Sequence, residues 1–324
     1  MTIAKMLAVA LALAAVVAGI FLWRGAGAGG GPSLGQGPDA AAMAARYAKP
    51  LPPPQKPLSV YFIGHSLVGR DMPAMLAQLA GEGYRYDSQL GWGTTLKAHW
   101  GDDKINGFEA ENDHPRFRPA HEAVKSGDYD AIVLTEMVEI RDALKYFDSP
   151  RYLANWAQEA IVARPDARLY LYETWHQVDH AEGFLERLDG DYEQSWLAGV
   201  LRPALGELPE DKRIHLIPAG QAMAALVRAV EARGGVGNLG KRTDLFALTP
   251  DGKPDNIHLS DLGSYFVALV HYAVLYQKSP AGLPFALMRA DGTPAAAPEP
   301  ETAALMQQIA WDVARSNPLT GIAP

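Results

Sequence analysis

The hydrophobic positions fall into two alternating kinds of run. A short β-branched and aromatic run at 58–64 (LSVYFIG) reads as a strand, and further strand-like stretches occur at 84–93 (YRYDSQLGWG), 130–137 (DAIVLTEM), 167–175 (ARLYLYETW) and 213–220 (RIHLIPAG). Apolar residues recur at helical spacing at 72–83, 121–129, 152–165, 196–208, 221–235 and 260–277. Short, mostly apolar strands suit a sheet buried on both faces, and their alternation with helices predicts parallel pairing. The expected fold class is α/β, with five parallel strands in a three-layer α/β/α arrangement. A final helix, 301–317, follows a Pro/Ala-rich stretch and is expected to pack back on the domain.

The N-terminal end differs from the rest. Residues 6–23 are uncharged and mostly apolar, between Lys5 and Arg24. That length just spans the hydrocarbon core of a bilayer. A signal-peptide core is usually shorter, yet residues 26–28 (AGA) form an A-x-A-like cleavage site. Either reading puts the remainder on the extracytoplasmic, periplasmic side, membrane-anchored or secreted. Residues 25–57 hold a Gly-rich and then a Pro-rich stretch and read as a tether, flexible first and extended afterwards. The expected division is 1–24 as transmembrane anchor or signal peptide, 25–57 as linker, 58–285 as the folded domain and 286–324 as C-terminal linker and helix.

Composition narrows the chemistry. The formal net charge of −8 leaves no basic surplus for phosphates, so nucleic acid is not an expected partner. With no cysteine, disulfides, a thiolate nucleophile and Cys-ligated zinc are excluded. In an open parallel sheet, reactive groups gather beyond the C-terminal strand ends. Ser66, in SVYFIGHSLVG, follows the first strand directly. Serine also caps helices well, and the local sequence by itself favours a cap. A nucleophilic serine needs a base to remove its proton. The stretch DNIHLSDLG supplies one, with Asp255 three residues before His258. At that spacing the carboxylate can approach Nδ1, fix the tautomer and leave Nε2 to face a serine. The plainer reading of this stretch is again capping, with Ser260 or Asp261 starting the last long helix.

Together, FIGHSL and DNIHLSDLG resemble the first and last blocks of the SGNH (GDSL-type) serine hydrolases, over residues 58–285. His65 stands where Asp is commonest in that family. The resemblance implies a flavodoxin-like α/β/α sandwich, with Ser66 as nucleophile, His258 as base and Asp255 as its orienting acid, and it calls for no metal or other cofactor. The family's two middle blocks contribute a Gly amide and an Asn side chain to an oxyanion hole. Gly93 fits the first, with Gly91 as second choice. The third-block pattern Gly-x-Asn-Asp is absent, and Thr135-Glu136-Met137 stands there instead. An ionised carboxylate cannot donate a hydrogen bond. Three readings are open: Glu136 is protonated by burial, it orients another donor such as Thr135, or the hole rests mainly on the amides of Ser66 and Gly93.

Trp92 and Trp100 flank the glycine loop with His99, and Trp175 follows the fourth strand with His176. Near one sheet edge their rings would stack on sugars or line an acyl pocket, and packing under loops is the alternative. His176 and His180, four apart, could share a helical face and bind a metal with Glu173 or Asp179, but no H-E-x-x-H pattern supports it. The expected activity is hydrolysis of a short acyl or acetyl ester on a carbohydrate or envelope glycan. Acyl transfer onto an extracytoplasmic polymer and non-catalytic glycan binding are the alternatives.

Overall fold

The computed structural model describes residues 34–101 and 103–323. The expected anchor at 6–23 lies outside the described residues, and among those described no helix is long and apolar enough to cross a membrane. Five strands, β1 (Ser59–His65), β2 (Arg85–Gly91), β3 (Ala131–Leu134), β4 (Arg168–Glu173) and β5 (Ile214–Pro218), form one sheet in the order β2-β1-β3-β4-β5. Every pairing in it is parallel. A separate antiparallel pair joins β6 (Phe246–Leu248) to β7 (Pro254–Leu259). The helices are α1 (Ala40–Tyr47), α2 (Asp71–Ala80), α3 (Leu96–Trp100), α4 (Phe108–Asn112), α5 (Ala120–Ser126), α6 (Ile140–Tyr146) and α7 (Ser149–Ala163). They continue with α8 (Phe184–Asp191), which runs through a wider-wound stretch, Tyr192–Leu201, into α9 (Arg202–Gly206), then α10 (Ala219–Glu231), α11 (Asp261–Tyr276) and α12 (Pro300–Ser316).

All of β1 is buried because alternate residues feed two cores. Val60 and Phe62 join the core that includes α2, α10, α11 and α12, whereas Tyr61 and Ile63 join the one that includes α1, α5 and α7. This is the three-layer α/β/α sandwich expected from the alternation of strands and helices. β1 pairs with β2 on one side and β3 on the other, so the chain changes direction across the sheet there. The crevice beyond the C-terminal end of β1 is therefore the topological switch point, where such sheets bind ligands.

Three local features depart from the sequence reading. Part of the segment 25–57, read as a tether, is the Ala-rich helix α1. Asp39 caps it by accepting the Ala42 N–H at 2.8 Å, and it buries Met43 and Tyr47. The Tyr47 hydroxyl donates to the Ile214 carbonyl at 2.6 Å, so residues 40–47 are packed on the domain and do not hang free of it. The loop after β2 carries α3 and α4, each a single turn and too short to leave a periodic pattern. Residues 254–259 form a strand, where the sequence suggested only a turn into the last long helix.

Candidate active site

Ser66 lies in the turn that ends β1, where the Val68 N–H donates to the His65 carbonyl at 2.9 Å. α2 begins only at Asp71, with Arg70 in its cap position, so Ser66 caps no helix. The fully buried His65 ring anchors the turn. Its Nε2–H donates to the Glu136 carbonyl at 2.8 Å and its Nδ1 accepts the Leu67 N–H at 3.3 Å. Burial pushes this imidazole down to about 4, so it is neutral when it makes these bonds. Gly64 precedes it because a Cβ there would lie 2.5 Å from Thr135 Cγ2 and 2.9 Å from Val68 Cγ2. Its carbonyl accepts His99 Nε2–H at 2.7 Å, which ties α3 to β1.

β7 presents the other two groups. Asp255 Oδ1 accepts the N–H groups of Ile257 and His258 at 2.8 and 2.9 Å. Its Oδ2 accepts His258 Nδ1–H at 3.0 Å, and His258 Nε2 lies 3.1 Å from Ser66 Oγ. Burial alone would raise the Asp255 pKa, but the His258 ring and the two amides outweigh it and hold the carboxyl at about 2. A proton on Nδ1 leaves Nε2 as the acceptor for the serine O–H. Capping also occurs here, at a different residue: Ser260 Oγ accepts the Gly263 N–H at 3.3 Å and starts α11.

The loop after β4 holds this strand. Trp175 Nε1–H donates to the Ile257 carbonyl and the Val178 N–H to the Asn256 carbonyl, both at 2.8 Å. Trp175 is 0% exposed, so as placed it offers no face to a ligand. Trp100 also packs inward, edge-on to Trp156 and His121 with ring centroids 4.9 and 4.8 Å away. Trp92 is half-buried beside Gly93, with its indole donating to Glu111 Oε1 at 2.8 Å. Trp92 and Trp100 are both half-buried, and of the two it is Trp92 that adjoins Gly93.

Gly93 is exposed and left-handed, with φ of 54°. Among the described residues no acceptor takes its N–H or that of Ser66. Gly91 ends β2 opposite His65 and is close-packed, a Cβ there falling 2.1 Å from Thr94 Oγ1. Glu136 is fully buried, with its carboxyl occupied. Oε1 accepts the N–H groups of Met137 and Leu96 at 2.8 and 3.3 Å, and Oε2 accepts the Ser149 hydroxyl at 2.8 Å. Burial pushes the carboxyl up to about 7 against the pull of these three bonds. Thr135 is engaged as well, its hydroxyl donating to the Tyr172 carbonyl at 2.7 Å. The Glu136 carboxyl and the Thr135 hydroxyl thus both have partners within the fold, and neither is turned toward Ser66 by these bonds.

His176 and His180 sit in a loop, not on a helix. His176 Nε2 lies 3.1 Å from Asp191 Oδ2, an oxygen that also accepts Arg187 Nε–H at 2.7 Å, and Arg187 Nη1 reaches His180 Nε2 at 2.7 Å. Both histidines thus belong to an ion network. Among the described residues no three His or acidic groups are arranged to hold a metal. Sequence reasoning missed the anchoring roles of His65, His99 and Trp175. The available signal was a polar or aromatic residue at or just beyond the end of a buried strand.

No family model matches this chain, and no curated protein matches it. Among solved structures it is similar to a DUF4886 family protein from Bacteroides uniformis, with a TM-score of 0.52 and 15% identity over 80% of this chain and 95% of that one. It is also similar to a Parabacteroides merdae protein described as GDSL-like lipase, with a TM-score of 0.42 and 14% identity over 69% of this chain and 97% of that one. The first likeness is one of fold alone, and the second is too distant to bear on function.

Proposed function

We propose that the protein is a serine hydrolase of the SGNH kind that cleaves O-acyl esters. One observation carries the reading: Ser66 Oγ, His258 and Asp255 lie within hydrogen-bond distance in one chain, and an ionised Asp255, which can only accept, calls for the proton on Nδ1. Ser66 attacks the acyl carbonyl while His258 Nε2 takes the hydroxyl proton. The same imidazolium then protonates the departing alcohol, and Asp255 stabilises it meanwhile. A water deprotonated by His258 frees the acid and restores the serine. The oxyanion formed at each step is offered the N–H groups of Ser66 and Gly93. The substrate class that fits is a short acyl or acetyl ester on a carbohydrate or envelope glycan. Support for that class comes from the half-buried Trp92 beside Gly93 and from residues 6–23, which would place the domain outside the cytoplasm.

Treatment with a fluorophosphonate and mapping of the labelled peptide tests the reading. Label is expected on Ser66. Ser66→Ala and His258→Ala are each expected to lower turnover of p-nitrophenyl acetate by about 10³-fold or more. Absence of both label and turnover in the unaltered protein would end the enzymatic reading in favour of glycan binding.

A further inference from the structure

Glu136 follows β3 by two residues, at the sheet edge that carries Ser66, and the mechanism above gives its carboxyl no role. The residue is 0% exposed, and its carboxyl accepts three hydrogen bonds from three different places. One donor is the N–H of Met137, beside it. Another is the N–H of Leu96, the first residue of α3 and three positions after Gly93. The last is the hydroxyl of Ser149, the first residue of α7. Its backbone carbonyl accepts the fourth bond, from His65 Nε2–H, and His65 in turn holds the Leu67 N–H in the Ser66 turn.

One residue therefore reaches both segments that carry the free amides. Its side chain holds the start of α3, directly after the Gly93 loop, and its main chain holds the turn containing Ser66. We infer that Glu136 is the positioning residue of the oxyanion hole: it braces the Gly93 loop and the Ser66 turn against the end of β3 without itself facing the oxyanion. This rests on the esterase reading for its catalytic consequence, though the bracing itself does not depend on turnover.

The chemistry of the donor set explains a carboxyl here. Donors from three places meet the two oxygens of one long side chain, and an Asn, one methylene shorter, would not span the same distance. A glutamate thus gives up the side-chain donor of the third block and gains a tie between two loops. Such a tie matters because oxyanion donors act through preorganisation. The rest of α3 is pinned in the same way, with Thr95 Oγ1 accepting the Ala98 N–H at 3.0 Å and His99 bonded to the Gly64 carbonyl.

The test uses the full chain with p-nitrophenyl acetate kinetics and hydrogen–deuterium exchange, for the unaltered protein, Glu136→Gln, Glu136→Asp and Glu136→Ala. Glutamine keeps an oxygen for the two amides and can turn its NH₂ to Ser149 Oγ, so kcat should stay within about 3-fold. Alanine should lower kcat by about 30- to 100-fold with KM changed less than about 3-fold. It should also speed exchange over residues 92–97 by at least about 10-fold, with β5 protected as before. Aspartate, one methylene shorter, should shift both readouts in the same direction and provides the test if alanine unfolds the chain. Unchanged exchange over 92–97 in both Glu136→Ala and Glu136→Asp would overturn the inference. So would a gain in kcat of about 10-fold in Glu136→Gln, since that would mark a donor restored to the hole itself. If the unaltered protein turns over no ester, the esterase reading fails alone, because the exchange measurement still decides the bracing.

Discussion

The proton between Ser66 and His258 can move only if Nε2 is bare, and Asp255 sets that condition. In Asp255→Asn an amide NH₂ would face Nδ1 and favour the opposite tautomer, with its proton on Nε2. Steady-state kinetics should show kcat reduced by about 10³- to 10⁴-fold with little change in KM. Asp255 itself stays ionised far into acid, because its ring partner and two amides hold it at about 2. Its folded value lies below its unfolded one, so its stabilisation is present above about pH 4 and is lost as pH falls toward 2. Trp175→Phe makes a different single change, removing the indole donor from the Ile257 carbonyl while keeping most of the ring volume. Thermal unfolding should show a loss of about 1 kcal/mol, and kcat should fall about 10-fold at nearly constant KM as His258 loses its exact placement. A tryptophan just after a strand reads equally as ligand platform or core filler in sequence. Its contact with a residue 82 positions away decides between them.

At the scale of elements, the end of β1 is the most constrained part of the site. Gly64→Ala would drive a methyl into Thr135 and Val68 and should cost about 1–3 kcal/mol in urea unfolding. The pair β6–β7 is the opposite case, because two antiparallel strands are marginal by themselves. It carries both Asp255 and His258, and its place is secured from outside, by the loop after β4 and by Ser260, whose N–H donates to the Leu245 carbonyl at 3.0 Å. β1, β3, β4 and β5 were legible in the sequence because burial on two faces gives each a dense apolar run, whereas β2 keeps only Tyr86 and Leu90 as large apolar residues. The single-turn helices α3 and α4 were not, since one turn shows no period. α1 was missed because the surrounding Gly and Pro dominated the reading of its Ala-rich stretch.

For the whole molecule, buried titratable groups set how stability responds to pH. Burial pushes His65, His99, His215 and His271 each down to about 4. Unfolding lets these rings take up protons, so stability falls as pH drops from about 6.5 toward 4. Glu136 and Glu173 act in the opposite sense, with burial raising them to about 7 and about 8. They are protonated when folded and ionise on unfolding, so stability falls as pH rises from about 4.5 toward 8. The four rings outweigh the two carboxyls below about pH 6.5, and the carboxyls prevail above about pH 7. A thermal scan across pH should therefore peak near pH 6.5–7 by this balance, about where the opposing slopes cancel. Glu173→Gln should flatten the alkaline side, its melting temperature gaining on the unaltered protein as pH rises.

The sequence by itself determined the alternation of strands and helices, the parallel sheet and the position of Ser66 at a strand end. It also determined the local reach of Asp255 to His258. Those properties depend on burial periodicity and on neighbours a few residues apart, and letters record them directly. Only the tertiary structure decided that Ser66 Oγ meets an imidazole 192 positions away, that Trp175 is fully buried while Trp92 and Trp100 are half-buried, and that the Glu136 carboxyl turns to Leu96 and Ser149. The physical reason is that a side chain's direction at a strand end is set by which distant segments pack against it.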